Sequence, residues 1–569
     1  MRISDNMRVN FRLVHNFRSV PDIVDMITTK TILIYVVLCG FIGYSEQKVR
    51  VKTQYGSVKG KNVYTVGKGK AYVAFQGIPY AKPPLGELRF AAPVSFDRWD
   101  HVYDATKPKS TCVELYENKG NEDCLYLNIF TPNINRSLPI MIWFHGGAFV
   151  FIYGSHTLNG VDYFIEEDVI VVTVHYRLGV FGFLSTEDET IPGNFGLKDQ
   201  LMAVEWIHKN IHHFGGNPNK ITLVGQSAGA VSAQYLTMHK RLEGKISGII
   251  QQSGSVLVPW ALSRYPRTGA YVLGGKLGVS TTDSTILLKE LRKKSTEELR
   301  NASFSTHMEV VFGGGTFNSL LFIPVREPPH KGSYFSSMAF EDLKRGEFKR
   351  IPKMIGINSL EAAFMIGEFQ AFNKYYQNYD QNIRRYLPND LNSRNELAAK
   401  LIKDHYIGNH SFTSNISNTV HFASDDQFVR PILKDVYLAS PFAKTYLYHF
   451  TYQGNLGKRN RTLNGVEHGE ELEYLFYGKH QGNIDNDDKK MREKLVKLWC
   501  NFIKTSNPTP SKDDLFNNQI WEPVNADTDH TTCFEIDKKI NIIENPHRED
   551  VEFWEKIYSE YGNRPFDTY

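Results

Sequence analysis

The chain predicts an α/β protein: a large, mostly parallel central sheet flanked by helices, with antiparallel strands at its N-terminal end. Three observations carry that expectation. Beyond residue 120, short apolar, β-branched segments alternate with windows of helical spacing, the pattern of a parallel sheet covered on both faces. Residues 49–74 instead alternate brief strands with Gly turns (YGSVKG, VGKGKAYVAF), as antiparallel hairpins do. No Pro/Ser linker, repeat period or low-complexity tract divides the 569 residues. Residues 46–569 therefore read as one large domain, and residues 1–45 as an N-terminal extension.

Residues 31–43 form an apolar run (TILIYVVLCGFIG) that follows Lys30 and ends in Gly43-Tyr44-Ser45. The run is shorter than the roughly 20 residues a membrane span needs. Its small residues sit where a signal peptidase cuts, so the expectation is a secretory signal cleaved near Ser45. The polar residues before Met26 are unusual for such a signal and leave Met1 or Met26 as the start. RPFDTY at the end of the chain carries neither a retention tetrapeptide nor a hydrophobic anchor tail. Secretion without a stable membrane anchor is the expectation, and Asn135, Asn301, Asn409, Asn415 and Asn460 stand in N-glycosylation sequons.

A net charge of +4, with basic residues scattered and no interleaved aromatic stripe, argues against nucleic acid as partner. Cys112 and Cys124 flank a polar segment that a disulfide could close in an oxidising compartment. No histidine or further cysteine lies beside them to complete a metal site, so no metal is expected. Cys500, in a helical window, and Cys533, in a short strand, read as free buried thiols.

Strand candidates after residue 120 are 139–144, 168–175, 221–224, 248–251, 351–357 and 445–450. Residues 198–211 form a helical window, with Leu201, Val204, Ile207 and Ile211 on one face. Ligands of such sheets gather beyond the carboxyl ends of the strands, so functional residues should follow strands. Gly225-Gln226-Ser227-Ala228-Gly229 stands between the strand 221–224 and a helix-forming tail, the setting of a nucleophile elbow. The pattern alone arises by chance about 0.2 times in a chain this rich in glycine. A serine hydroxyl also needs a histidine to take its proton and a carboxylate to orient that histidine.

Partners of the right types follow other strands. His145-Gly146-Gly147-Ala148 follows 139–144 and offers the N–H groups of Gly147 and Ala148, with that of Ala228, as an oxyanion hole. Glu361 follows 351–357 as the orienting acid. His468 lies on a Gly-flanked turn after 445–450 as the base. Any single glutamate or histidine is more often structural, but the order Ser227, Glu361, His468 is the one expected of this architecture.

Together these segments resemble the type-B carboxylesterases of the cholinesterase-like superfamily, and most closely the arthropod esterases. The resemblance rests on nine motifs in family order: FQGIPYAKPPLGELRF, EDCLYLNIF, MIWFHGGAF, VHYRLGVFGFLS, GNFGLKDQ, GQSAG, GIIQQSGSVLVPWA, GINSLEA and GVEHGEELEYLF. It implies an α/β-hydrolase fold across roughly residues 48–555 and cleavage of small-molecule carboxylic esters without a cofactor. It also implies Ser227, Glu361 and His468 as triad, Gly147, Ala148 and Ala228 as oxyanion hole, and a Cys112–Cys124 disulfide. Arg89 is expected to pair with Glu122, and Arg177 with Asp199. The loop between Cys112 and Cys124 lacks the tryptophan with which cholinesterases hold choline, so choline esters are not the expected substrate. A hormone-specific esterase using the same triad is one alternative. A non-catalytic adhesion protein of the superfamily is the other.

Overall fold

The computed structural model describes residues 49–569, apart from 153–158, 313–319, 372, 392–393, 459, 479–483 and 527–529. The expected signal segment and Cys39 lie outside the described residues. Eleven strands form the central sheet: β1 (Lys61–Tyr64), β2 (Ala71–Pro79), β3 (Tyr126–Thr131), β4 (Leu138–Phe144), β5 (Ile170–Val174), β6 (Gly216–Gln226), β7 (Gly248–Gln252), β8 (Lys353–Asn358), β9 (Thr445–Phe450), β10 (Thr532–Ile536) and β11 (Asn541–Glu544). Their spatial order is β11-β10-β9-β8-β7-β6-β4-β5-β3-β2-β1. Every pair from β5 through β4, β6, β7, β8 and β9 to β10 is parallel, whereas β1·β2, β2·β3, β3·β5 and β10·β11 are antiparallel. The expected antiparallel strands thus sit at the N-terminal edge of a mainly parallel sheet. A further hairpin, Arg50–Thr53 with Gly56–Lys59, belongs to a separate three-stranded sheet.

The strands read as continuous apolar runs because both faces are covered. Along β4, Ile140, Ile142 and Phe144 enter one core while Met141 and Trp143 enter the other. The first core is shared with helix α1 (Phe195–Asn210) and helix α2 (Ala228–Met238), through Leu197, Leu201, Val204 and Val231. The second is shared with helix α3 (Asn486–Thr505), through Leu495, Leu498, Trp499 and Phe502.

Several expectations extend at their ends. The strand expected at 221–224 begins at Gly216, because Asn217, Pro218, Asn219 and Lys220 hide the strand pattern and coincide with a register shift against β4. The helix expected at 198–211 begins at Phe195 and passes into a 3-10 turn at Ile211. Cys112 and Cys124 are bonded to each other, and Cys500 and Cys533 are free and buried.

Candidate active site

Parallel registry brings the carboxyl ends of the central strands level. Phe144 pairs with Gly225, Gln226 with Gln252, Gln252 with Gly356, and Asn358 with Phe450. Whatever follows β4, β6, β7, β8 and β9 is thereby gathered along one rim.

Ser227 occupies the tight turn between β6 and α2, with φ 58 and ψ −127. A non-glycine residue held there stores about 1–3 kcal/mol of strain, which the surrounding structure must override. Its N–H is fixed to the Gln252 carbonyl at 2.8 Å. The flanking glycines are required by space: a Cβ on Gly225 would stand 2.2 Å from the Gly229 carbonyl, and one on Gly229 would stand 2.0 Å from the Phe144 carbonyl. Strand, turn and helix can close this tightly only without those side chains.

Glu361 begins a 3-10 turn three residues beyond β8 and is fully buried. Its Oε2 lies 2.8 Å from His468 Nδ1, and its Oε1 accepts both the Ser253 hydroxyl and the Asn358 N–H, each at 2.7 Å. The His468 N–H in turn donates to the Glu361 carbonyl at 3.1 Å, so the two residues are fixed through main chain and side chain. With Nδ1–H given to the carboxylate, Nε2 presents its lone pair. In this structure it accepts from the Gln226 amide, at 3.0 Å. Gln226 immediately precedes Ser227, so the basic nitrogen of the imidazole is held at the elbow itself. The rings of Phe428 and Phe364 lie 4.6 Å and 5.4 Å from the imidazole, and Trp260 stands 5.7 Å beyond Phe428.

The loop after β4 turns sharply, with φ of 111 at Gly147, 52 at Ala148 and 63 at Phe149. Among the described residues the N–H groups of Gly147 and Ala148 have no acceptor. Ala228 opens α2, so its N–H has no acceptor within the helix. His145 braces this loop. It stacks on Tyr176 at 4.5 Å, its Nδ1 meets the Gly146 carbonyl at 2.9 Å, and burial drops its pKa to about 4. His145 is therefore a neutral structural ring near neutral pH. The two expected ion pairs are both present and doubly bonded. Arg89 meets Glu122 at 2.6 and 2.7 Å, and Arg177 meets Asp199 at 2.7 Å through both nitrogens.

Sequence reasoning missed four supporting residues: Gln226, Ser253, Asn358 and Glu471. Asn358 Nδ2 donates to Glu471 Oε2 at 2.7 Å, and Gln252 donates to Glu471 Oε1 at 2.9 Å. Burial, with the Glu361 charge adding to it, pushes the Glu471 carboxyl above its ordinary value. Ser253 and Asn358 stand at or directly after strand ends, so the same positional rule that found Glu361 applied to them.

The family model described as the carboxylesterase family matches residues 47–554. The chain belongs to the carboxylesterase family. The carboxylesterase is 32% identical to juvenile hormone esterase of Tribolium castaneum, an alignment covering 85% of this chain and 88% of that protein. It is likewise 32% identical to a carboxylic ester hydrolase of Bombus ignitus, over 84% and 89% of the two chains. The solved structure of juvenile hormone esterase from Manduca sexta, with OTFP covalently attached, superimposes with a TM-score of 0.81 at 27% identity. That superposition covers 90% of this chain and all of the other. The family model and the esterases that the chain resembles together identify a type-B carboxylesterase, an enzyme that hydrolyses carboxylic esters.

Proposed function

We propose that the carboxylesterase works through an acyl-enzyme on Ser227, with His468 as base and Glu361 as the group that orients it. The contact that carries this reading is the 2.8 Å bond between Glu361 Oε2 and His468 Nδ1, made beside the serine elbow. Ser227 Oγ attacks the ester carbonyl as its proton passes to Nε2, the hydroxyl taking the place now held by the Gln226 amide. The N–H groups of Gly147, Ala148 and Ala228 bind the developing oxyanion, each worth about 2.7–4 kcal/mol if it matches a measured donor. The imidazolium then protonates the departing alcohol, and water repeats the sequence on the acyl-enzyme. The wall formed by Trp260, Phe428 and Phe364 suits apolar acyl or alkyl groups.

Secretion and glycosylation belong to the same reading. Asn135, Asn301, Asn409 and Asn460 are exposed acceptors, whereas Asn415 is half-buried with its side-chain oxygen capping the helix Ile416–Ser424. Hydrolysis of a juvenile hormone ester is a second reading, favoured by the names of the Tribolium and Manduca relatives. A panel of p-nitrophenyl esters with a juvenile hormone alongside tests both. Ser227→Ala should remove all turnover while leaving the thermal midpoint near that of the native enzyme. Turnover retained by the folded variant sinks the assignment. A juvenile hormone kcat/KM no higher than that of simple esters sinks the hormone reading alone.

A further inference from the structure

Behind the acid of the site, three elements, backed by the helix Glu396–Tyr406, converge on a second cluster of imidazoles and carboxylates. His421 lies near the end of the helix Ile416–Ser424, Asp425 opens the turn that follows, and Asp550 sits in the first turn of the helix Arg548–Tyr561. His421 Nε2 is 3.2 Å from Asp550 Oδ2 and 3.5 Å from Asp425 Oδ2, and one donor atom from each of the three residues falls within 4.8 Å of the others. An ion at zinc–oxygen and zinc–nitrogen distances would hold its tetrahedral ligands about 3.3–3.6 Å apart, close to two of these separations.

The outer contacts also suit ligands. His405 Nε2 holds Asp550 Oδ1 at 2.8 Å, fixing that carboxylate from behind, and the Tyr406 hydroxyl donates at 2.9 Å to Asp425 Oδ2, the oxygen that faces His421. No lysine or arginine among the described residues pairs with either carboxylate; their charged partners are histidines alone. An independent sign comes from Asp425, which is 1% exposed. Its Oδ1 is buried with no hydrogen-bond partner and faces His547 Nδ1 at 3.8 Å. A buried carboxylate oxygen left in that state is costly, and a cation held by both oxygens of Asp425, Oδ2 beside His421 and Oδ1 behind it, would satisfy it. Entry is open, because the His421 side chain is 48% exposed.

We propose that His421, Asp425 and Asp550 form a binding site for one divalent transition-metal ion, with His405 and Tyr406 as the groups that orient its carboxylates. One imidazole with two carboxylates is a borderline-hard donor set that suits zinc and its neighbours better than calcium, which takes six to eight oxygens. The site adjoins the triad. Asp425 heads the turn whose Phe428 packs on His468, and the preceding Ser424 hydroxyl oxygen accepts the Ala362 N–H at 3.0 Å.

The test is a calorimetric zinc titration of chelator-treated, full-length enzyme, with the thermal midpoint followed in parallel. One saturable equivalent and a raised midpoint are expected for the native chain and for the control His101→Ala. His421→Ala and Asp550→Asn should lose the stoichiometric binding and the zinc-dependent midpoint shift. His405→Ala should bind about 10–100-fold more weakly, as loss of an orienting partner does elsewhere. If Asp550→Asn fails to fold, the exposed His421 position decides. Absence of a saturable equivalent, or native-like binding by folded His421→Ala, overturns the proposal and leaves a hydrogen-bonded His–Asp network only.

Discussion

Replacing Glu361 by glutamine removes one charge and almost no volume, and the structure dictates how the new side chain must sit. Oε1 receives two donors, the Ser253 hydroxyl and the Asn358 N–H, both at 2.7 Å. The glutamine carbonyl must therefore take the Oε1 position, because an amide nitrogen there would face two donors. That places the NH2 where Oε2 was, against His468 Nδ1. A donor facing Nδ1 forces the proton onto Nε2, the tautomer that cannot accept from Ser227. Losing one hydrogen bond to a charged group costs about 1.5–3 kcal/mol, or roughly ten- to 150-fold in rate. An inverted tautomer costs more, about 10⁴ in kcat in serine hydrolases of this logic. Glu361→Gln should accordingly lower kcat on p-nitrophenyl butyrate by about 10⁴ with little change in KM and a native thermal midpoint. Loss of less than tenfold in a folded variant would refute the assignment of Glu361 as orienting acid.

The remaining predictions concern the same chain under milder perturbation. Ser253→Ala removes one of the bonds to Glu361 and leaves the tautomer alone, so kcat should fall only about ten- to 150-fold. Loss as deep as that of Glu361→Gln would show that Ser253 does more than brace the carboxylate. Burial depresses His145, His175 and His307 to about 4 and His449 to about 3. Because these folded values lie below the unfolded one, the unfolded chain binds protons first as the pH drops below about 6.5. Each ring then removes up to about 3 kcal/mol of stability by pH 4. Thermal midpoints measured from pH 7 to 4 should fall steeply across that window, and a flat profile would contradict the burial of these rings. Burial also pushes the Cys500 and Cys533 thiols upward, so neither should react with a disulfide reagent until the protein unfolds. Prompt reaction of either residue in the native enzyme would show that the site is open.

The parts legible in the sequence were those whose physics is local. Apolar runs marked β4, β6, β7, β8 and β9 because each is buried on both faces, and residues placed just past their ends met on one rim. Strand β3 was not anticipated, because its NIF core is short and follows a polar, cysteine-flanked stretch. Gln226 was visible only as one letter of the elbow; that its amide meets an imidazole 242 positions away follows from the fold. Asn358 and Glu471 share a buried hydrogen bond across 113 positions, and His421 meets Asp550 across 129. Neither pair leaves a trace in spacing or composition. Such contacts exist only once the fold has brought distant segments together.

The nucleophile is identified most directly by the atom that a mechanism-based reagent modifies covalently. A fluorophosphonate reagent that arrests serine hydrolases should add once to the native enzyme, with the modified peptide carrying Ser227, and should fail to add to Ser227→Ala. An adduct on a different residue, or undiminished labelling of the folded alanine variant, would contradict the assignment of Ser227.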